Sequence, residues 1–175
     1  EEFKEVLHRE PEHIKARMML GVAYKDRGDS NKAIREFEEV LRLEPGNPDA
    51  HYNLGSVYHD RGNLLRTVEE YLKALELNPE HRDARLNLGV AYYKQGKVDD
   101  AIREFEEVLR LEPGNPDAHY NLGVTYRDKG DFRRAVENYR KFMEYAPPEY
   151  SRYFGIVEET IRQLEKSEKD LLRRT

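Results

Sequence analysis

Leu20-Gly21-Val22-Ala23-Tyr24 returns three times, as Leu54-Gly55-Ser56-Val57-Tyr58, Leu88-Gly89-Val90-Ala91-Tyr92 and Leu122-Gly123-Val124-Thr125-Tyr126, each time after 34 residues. Two more series keep the same step. One is Ala33…Phe37, Thr67…Tyr71, Ala101…Phe105 and Ala135…Tyr139; the other is Pro45, Pro79, Pro113 and Pro147. Self-similarity at such a period means stacked copies of one small helical unit, none of which can bury its apolar face alone. The stretch AIREFEEVLRLEPGNPDAHYNLG occupies residues 33–55 and again 101–123, an offset of 68 or two periods. Either a duplication or selection for the same surface twice accounts for that identity.

With repeat starts at Ile14, Pro48, Arg82 and Pro116, each period reads as helix, tight turn, helix. Gly28, Gly62, Gly96 and Gly130 fall in the turn, where a left-handed residue just past a helix end suits glycine. Asp29, Asn63 and Asp131 follow and are placed to cap the next helix. The periodic prolines stop the second helix, and Asn47-Pro48 and Asn115-Pro116 restart the chain with Pro in a first turn. Ala33, Ile34, Phe37, Val40 and Leu41 share one helix face. Gly21 and Ala33 are small where the two helices must approach, so Thr67 at the Ala position predicts a slightly wider second hairpin. Glu38–Arg42 and Glu106–Arg110 have the favourable i,i+4 order for surface ion pairs.

The order Leu-Gly, Tyr, Ala, aromatic, Pro over residues 14–149 resembles the tetratricopeptide repeat. The resemblance implies an all-α fold, a right-handed α-solenoid of helix-turn-helix repeats with a C-terminal capping helix. Residues 14–47, 48–81, 82–115 and 116–149 are then four repeats of a single domain. Phe3, Val6 and Pro11 sit one period before Phe37, Val40 and Pro45, so residues 1–13 read as the second helix of a repeat whose first helix is missing. After Pro147-Pro148 the repeat pattern stops, and residues 150–175 read as one long amphipathic helix with a stripe of Tyr153, Ile156, Val157, Ile161 and Leu164. Such a helix suits a cover for the last repeat, with Phe142 and Met143 meeting it.

The family resemblance also places the first helix of each repeat on a concave side, with repeat positions 2, 5, 6, 9 and 12 facing a groove. Position 6 is Met19, Asn53, Asn87 and Asn121. The repeats of O-linked N-acetylglucosamine transferase carry a similar asparagine ladder, which holds peptide main chain. An amide offers one acceptor and two donors, matching the C=O and N–H of an extended peptide. The same residues also suit bonding within the scaffold. Tyr52, Leu86, Tyr93 and Tyr120 are the apolar anchors of this groove, and His59 and Arg127 lie at position 12. Asp49, Asp83 and Asp117 favour a basic partner, or else the positive end of their own helices. The Lys–Asn–Arg set by which tetratricopeptide co-chaperones grip acidic tails is matched here only at its middle Asn.

Composition narrows the classes further. The 175 residues carry 30 basic and 35 acidic side chains, a formal charge of −5, and no Cys. No basic stripe exists to displace phosphate counterions, so nucleic acid is not the expected partner. No apolar run reaches the ~18 residues of a membrane span. There is no nucleophile elbow or phosphate loop, and the six His lack metal-ligand spacing, so no catalytic site, metal or cofactor is expected. The expected function is protein–protein interaction, taking an extended peptide or a helix of a partner. The alternatives are a scaffold that self-associates through its terminal edges, at Phe3 and Val6, and a regulatory segment of a larger enzyme.

Overall fold

In the computed structural model, which describes residues 2–172, the chain is all α-helical. Its helices are α1 (Glu2–Arg9), α2 (Ile14–Asp26), α3 (Ser30–Leu43), α4 (Pro48–Asp60), α5 (Leu64–Leu77), α6 (Arg82–Lys94), α7 (Val98–Leu111), α8 (Pro116–Lys129), α9 (Phe132–Tyr145) and α10 (Phe154–Leu172). A short 3-10 helix, Pro148–Tyr153, precedes α10. Within each unit consecutive helices pack antiparallel in the manner of a helical solenoid, and the second unit ends in a C-terminal helix. The chain divides into two compact units, one ending at Ala91 and the other beginning at Tyr92. In the first, α2 pairs with α3 and α4 with α5, and α3 also packs on α4; in the second, α8 pairs with α9, flanked by α7 and α10.

The periodic residues explain each boundary. Gly28, Gly62, Gly96 and Gly130 all have φ between 72° and 82°. The left-handed turn lets the next N–H reach back to the motif tyrosine, as in Asp29 N to Tyr24 O (2.8 Å) and Asn63 N to Tyr58 O (2.9 Å). The same bond closes α6 and α8, so an orphan carbonyl at the end of every first helix is satisfied by one device. Glu44, Asn78 and Glu112 take φ near −140° because the following Pro disfavours helical backbone, and the second helix ends there.

Capping is richer than expected at the first helices and poorer at the second. Asn47 and Asn115 each accept the N–H three residues on at 2.9 Å. His13 and His81 do the same through Nδ1, for Ala16 and Ala84. Asn63 and Asp131 cap α5 and α9. Asp29 does not cap α3 with its side chain; its carboxylate pairs with Lys32.

The cores are the expected helix faces: Ala33, Phe37 and Val40 are fully buried, as are Ala101 and Val108. The close approach at Gly21 is to the ring of Phe37, which a Cβ would meet at 2.5 Å. Gly55 meets Tyr71 and Gly123 meets Tyr139, each at 2.6 Å. The second hairpin is therefore no wider at this crossing than the fourth, although it carries Thr67 where the fourth has Ala135. The Thr67 hydroxyl is turned back onto its own helix and donates to Asn63 O (2.9 Å). On the surface, Arg42 and Arg110 pair with Glu39 and Glu107, three residues back, rather than with Glu38 and Glu106. Glu106 accepts the Tyr126 hydroxyl instead.

At the C-terminal end Val157, Ile161 and Leu164 are buried as expected, but Tyr153 is 41% exposed and Ile156 70%. The cause is the 3-10 turn that follows the extended Pro147. The α-helix begins only at Phe154, which stands edge-on to Phe142 with ring centroids 6.0 Å apart. The expected span to residue 175 runs past the described residues.

Candidate functional site

In the first unit α2, α4, α5 and α6 enclose a cleft of about 200 Å³ lined by Lys25, Ser56, His59, Asp60, Tyr71, Asn87 and Val90. The α-helical spacing of Tyr52, Ser56 and His59 sets these side chains on one face of α4. Asn87 reaches across from α6 and donates through Nδ2 to the Tyr52 hydroxyl at 3.3 Å. Among the described residues its Oδ1 accepts no hydrogen bond. Ser56 Oγ and the Tyr71 hydroxyl lie 3.3 Å apart. Tyr52 is wedged between Tyr71 and His81, with ring centroids at 5.9 and 4.9 Å. Burial pushes the Tyr52 phenol up, and the Asp83 carboxylate adds to this. Burial also pushes Tyr71 up to about 12, so both hydroxyls keep their protons at neutral pH. His59 Nδ1 sits 3.7 Å from Asp60 at the rim.

The three asparagines do not behave alike. Asn53 is only 9% exposed and spends an amide hydrogen on Asp49 O, four residues back in its own helix (2.8 Å). Asn121 makes the same bond to Asp117 O (2.8 Å) but is half-buried. Asn87 is the one of the three that bonds across to a different helix. Leu86 is half-buried on α6 beside it. Asp83 is exposed, and Asp49 has a side chain 70% exposed with Oδ1 3.3 Å from His81 Nε2. His81 Nδ1 accepts the helix N–H, which places the ring proton on Nε2, facing Asp49.

The second unit brings together a different set. The Tyr93 hydroxyl donates to Asp128, whose other oxygen takes Arg127 Nε at 2.8 Å. Burial works against this carboxylate, yet the Tyr93 hydroxyl and Arg127 together hold it below its usual range. Tyr120 is 40% exposed and stands edge-on to Tyr139 and Phe142. With Asp117, Phe142, Tyr150 and Tyr153 it lines a cleft of about 280 Å³.

Tyr71, Phe142, Tyr150 and Tyr153 are lining residues that the sequence pattern did not single out as a site. Tyr71 and Phe142 carry core periodicity, and Tyr150 and Tyr153 read as part of the amphipathic helix over residues 150–175. Neither cleft contains a nucleophile activated by a base. The first offers hydroxyls, an amide and an aromatic ring, the second a carboxylate and aromatic faces. Among the described residues no group of three or more His, Asp or Glu could hold a metal ion, and no helix is long and apolar enough to cross a membrane.

Comparison with known proteins identifies the repeat family. A family model described as TPR repeat matches residues 21–62, 55–96 and 91–130, and one described as Tetratricopeptide repeat matches 116–148. No curated protein matches the chain. Among solved structures, MamA is 29% identical with a TM-score of 0.75, covering 82% of this chain and 84% of that one. YrrB, described as a TPR protein with an unusual peptide-binding site, is 29% identical with a TM-score of 0.70, covering 83% of this chain and 75% of that one.

Proposed function

This chain belongs to the tetratricopeptide-repeat family of protein-interaction modules, and we propose from that premise that the first-helix face of each unit takes an extended segment of a partner polypeptide. The observation that carries the reading is Asn87, which is fixed by the Tyr52 hydroxyl while its carbonyl oxygen accepts no bond among the described residues. A fixed, half-buried acceptor suits a main-chain N–H, because it is already oriented and little side-chain entropy is lost on binding. The peptide-binding site in the description of YrrB is in keeping with this use of the fold.

Magnitudes set the affinity. Each hydrogen bond to main chain contributes about 0.5–1.5 kcal/mol net. Micromolar binding needs about 8 kcal/mol, so aromatic cover, from Tyr52 in the first unit or Tyr120 in the second, must supply most of it. A moderate affinity follows, with aromatic contacts outweighing the amides.

Peptides selected from a random display library on the full chain test the reading. A selected peptide should bind saturably in fluorescence anisotropy and lose about tenfold or more in affinity on Asn87→Ala plus Tyr120→Ala, with helicity unchanged by circular dichroism. Undiminished binding to the folded double variant contradicts the assignment.

A further inference from the structure

The cleft at the end of the second unit has a composition that the amide-lined cleft of the first unit lacks. Its floor is Phe142, 2% exposed, and its walls are Tyr120, Tyr150 and Tyr153. Successive rings meet at steep angles: 61° between Tyr120 and Phe142, 74° between Phe142 and Tyr150, and 54° between Tyr150 and Tyr153. The rings therefore form a cup rather than a parallel-sided slot. At the rim the Asp117 carboxylate accepts the Tyr150 hydroxyl at 3.3 Å, and among the described residues it pairs with no cation. Tyr120 and Tyr153 are both about two-fifths exposed, so the opening faces solvent.

We propose that this cup is a binding site for a lysine side chain of a partner polypeptide, its ammonium set among Tyr120, Phe142 and Tyr150 and paired with Asp117. Aromatic faces present negative charge, and a cation within ~6 Å of them is attracted. A carboxylate at the rim adds a full opposite charge. The Asp117 carboxylate pushes the Tyr150 phenol up first, with burial second. The cup shape favours lysine over arginine. A guanidinium needs a flat face to stack on, whereas an ammonium is a compact charge on a slim stem. The molecule already shows the affinity of these rings for cations, since the Arg152 guanidinium lies 4.7 Å from the Tyr153 ring centroid. That contact occupies one face of Tyr153, so Tyr120 and Tyr150 supply most of the attraction.

The site deepens the proposed function, because it rests on a partner polypeptide lying along the first-helix face. It also has a readout of its own. The full chain carrying 13C-labelled tyrosine is titrated with Nα-acetyl-lysine methylamide and, separately, with the norleucine methylamide, which lacks the charge. The lysine compound is expected to shift the Tyr120 and Tyr150 ring resonances with a dissociation constant on the order of 1–10 mM, the norleucine compound about tenfold more weakly. Asp117→Asn keeps an oxygen for the Tyr150 hydroxyl while removing the charge, and should weaken lysine about three- to tenfold with the tyrosine spectrum otherwise unchanged. Equal binding of the two compounds, shifts confined to other tyrosines, or no response at saturating concentration overturns the proposal. If library-selected peptides bind regardless of their lysines, the cage fails while the peptide face stands. If lysine enters the cup and no peptide binds, the peptide face fails while the cage stands as a cation site.

Discussion

Residues 33–55 and 101–123 have one sequence and two outcomes. What depends on the segment itself is the same in both copies. The N-cap bonds of Asn47 and Asn115 are both 2.9 Å and the back-bonds of Asn53 and Asn121 both 2.8 Å. Gly55 and Gly123 also approach rings to the same 2.6 Å, because the helix that follows each segment offers a Tyr there, Tyr71 or Tyr139. What depends on the neighbours diverges. Tyr52 is held by Asn87 and wedged between rings, whereas Tyr120 is exposed over Phe142. His51 Nδ1 meets the buried Glu70 carboxylate at 2.7 Å, while His119 meets Asn138 and Pro113 O. Asp49 faces His81, and Asp117 faces Tyr150. A repeat sequence thus specifies its own helices and turns, and the next element in the array decides what chemistry its exposed face presents.

The contrast can be broken most forcefully at Phe142. Its counterpart two periods earlier is Ala74, also fully buried, so the aromatic floor exists in one copy only. Phe142→Ala should cost about 3–5 kcal/mol in urea unfolding, since it empties the junction with α10. A cost near zero would mean that α10 does not depend on this ring. The paired variants Gly55→Ala and Gly123→Ala come next. Each forces a Cβ against a ring, and each should destabilise by about 1–3 kcal/mol, equally in the two copies. A large inequality would sink the claim that the two hairpin crossings are equivalent. Glu70→Ala removes a buried carboxylate that meets both His51 and Lys73, and should cost about 1–3 kcal/mol. Asn138→Ala, at the half-buried counterpart, should cost less; the reverse order in the same denaturation series would contradict the contrast.

The smallest effect is a shared one. Burial raises the phenols of Tyr71 and Tyr139 to about 12 in both units. An unfolded tyrosine titrates near ~10. The folded chain therefore holds these protons more tightly. Their contribution to stability is intact below about pH 10 and is lost as pH climbs through about 12. Ultraviolet titration should show two phenols ionising last, together with alkaline unfolding. Ionisation of all tyrosines near pH ~10 without unfolding would contradict the burial.

The fold was legible because each periodic residue answers a local need: glycine for the left-handed turn, proline for the stop, alanine and an aromatic for the hairpin crossing. Local chemistry beyond the period was less so. His13 and His81 cap helices as Asn47 and Asn115 do, but histidine is a rare cap and the pattern gave no sign of it. Tyr153 and Ile156 joined the apolar stripe on paper because helical periodicity cannot register a 3-10 turn that rotates the stripe's origin. The asparagine row was visible as a row. Whether each amide turns outward depended on the residue across from it, and Asn53 and Asn121 found their own helix first. Tyr150 and Tyr153 became part of a cleft through tertiary placement alone.

The most direct test of the central claim maps a library-selected peptide onto the chain by NMR. The side-chain amide of Asn87 and the ring of Tyr52 should shift, or the ring of Tyr120 for a peptide held by the second unit, while Arg66 and Glu69 on the exposed side of α5 should not. Shifts confined to α3, α5 and α7, with the Asn87 amide unmoved, would place the partner elsewhere and contradict the account.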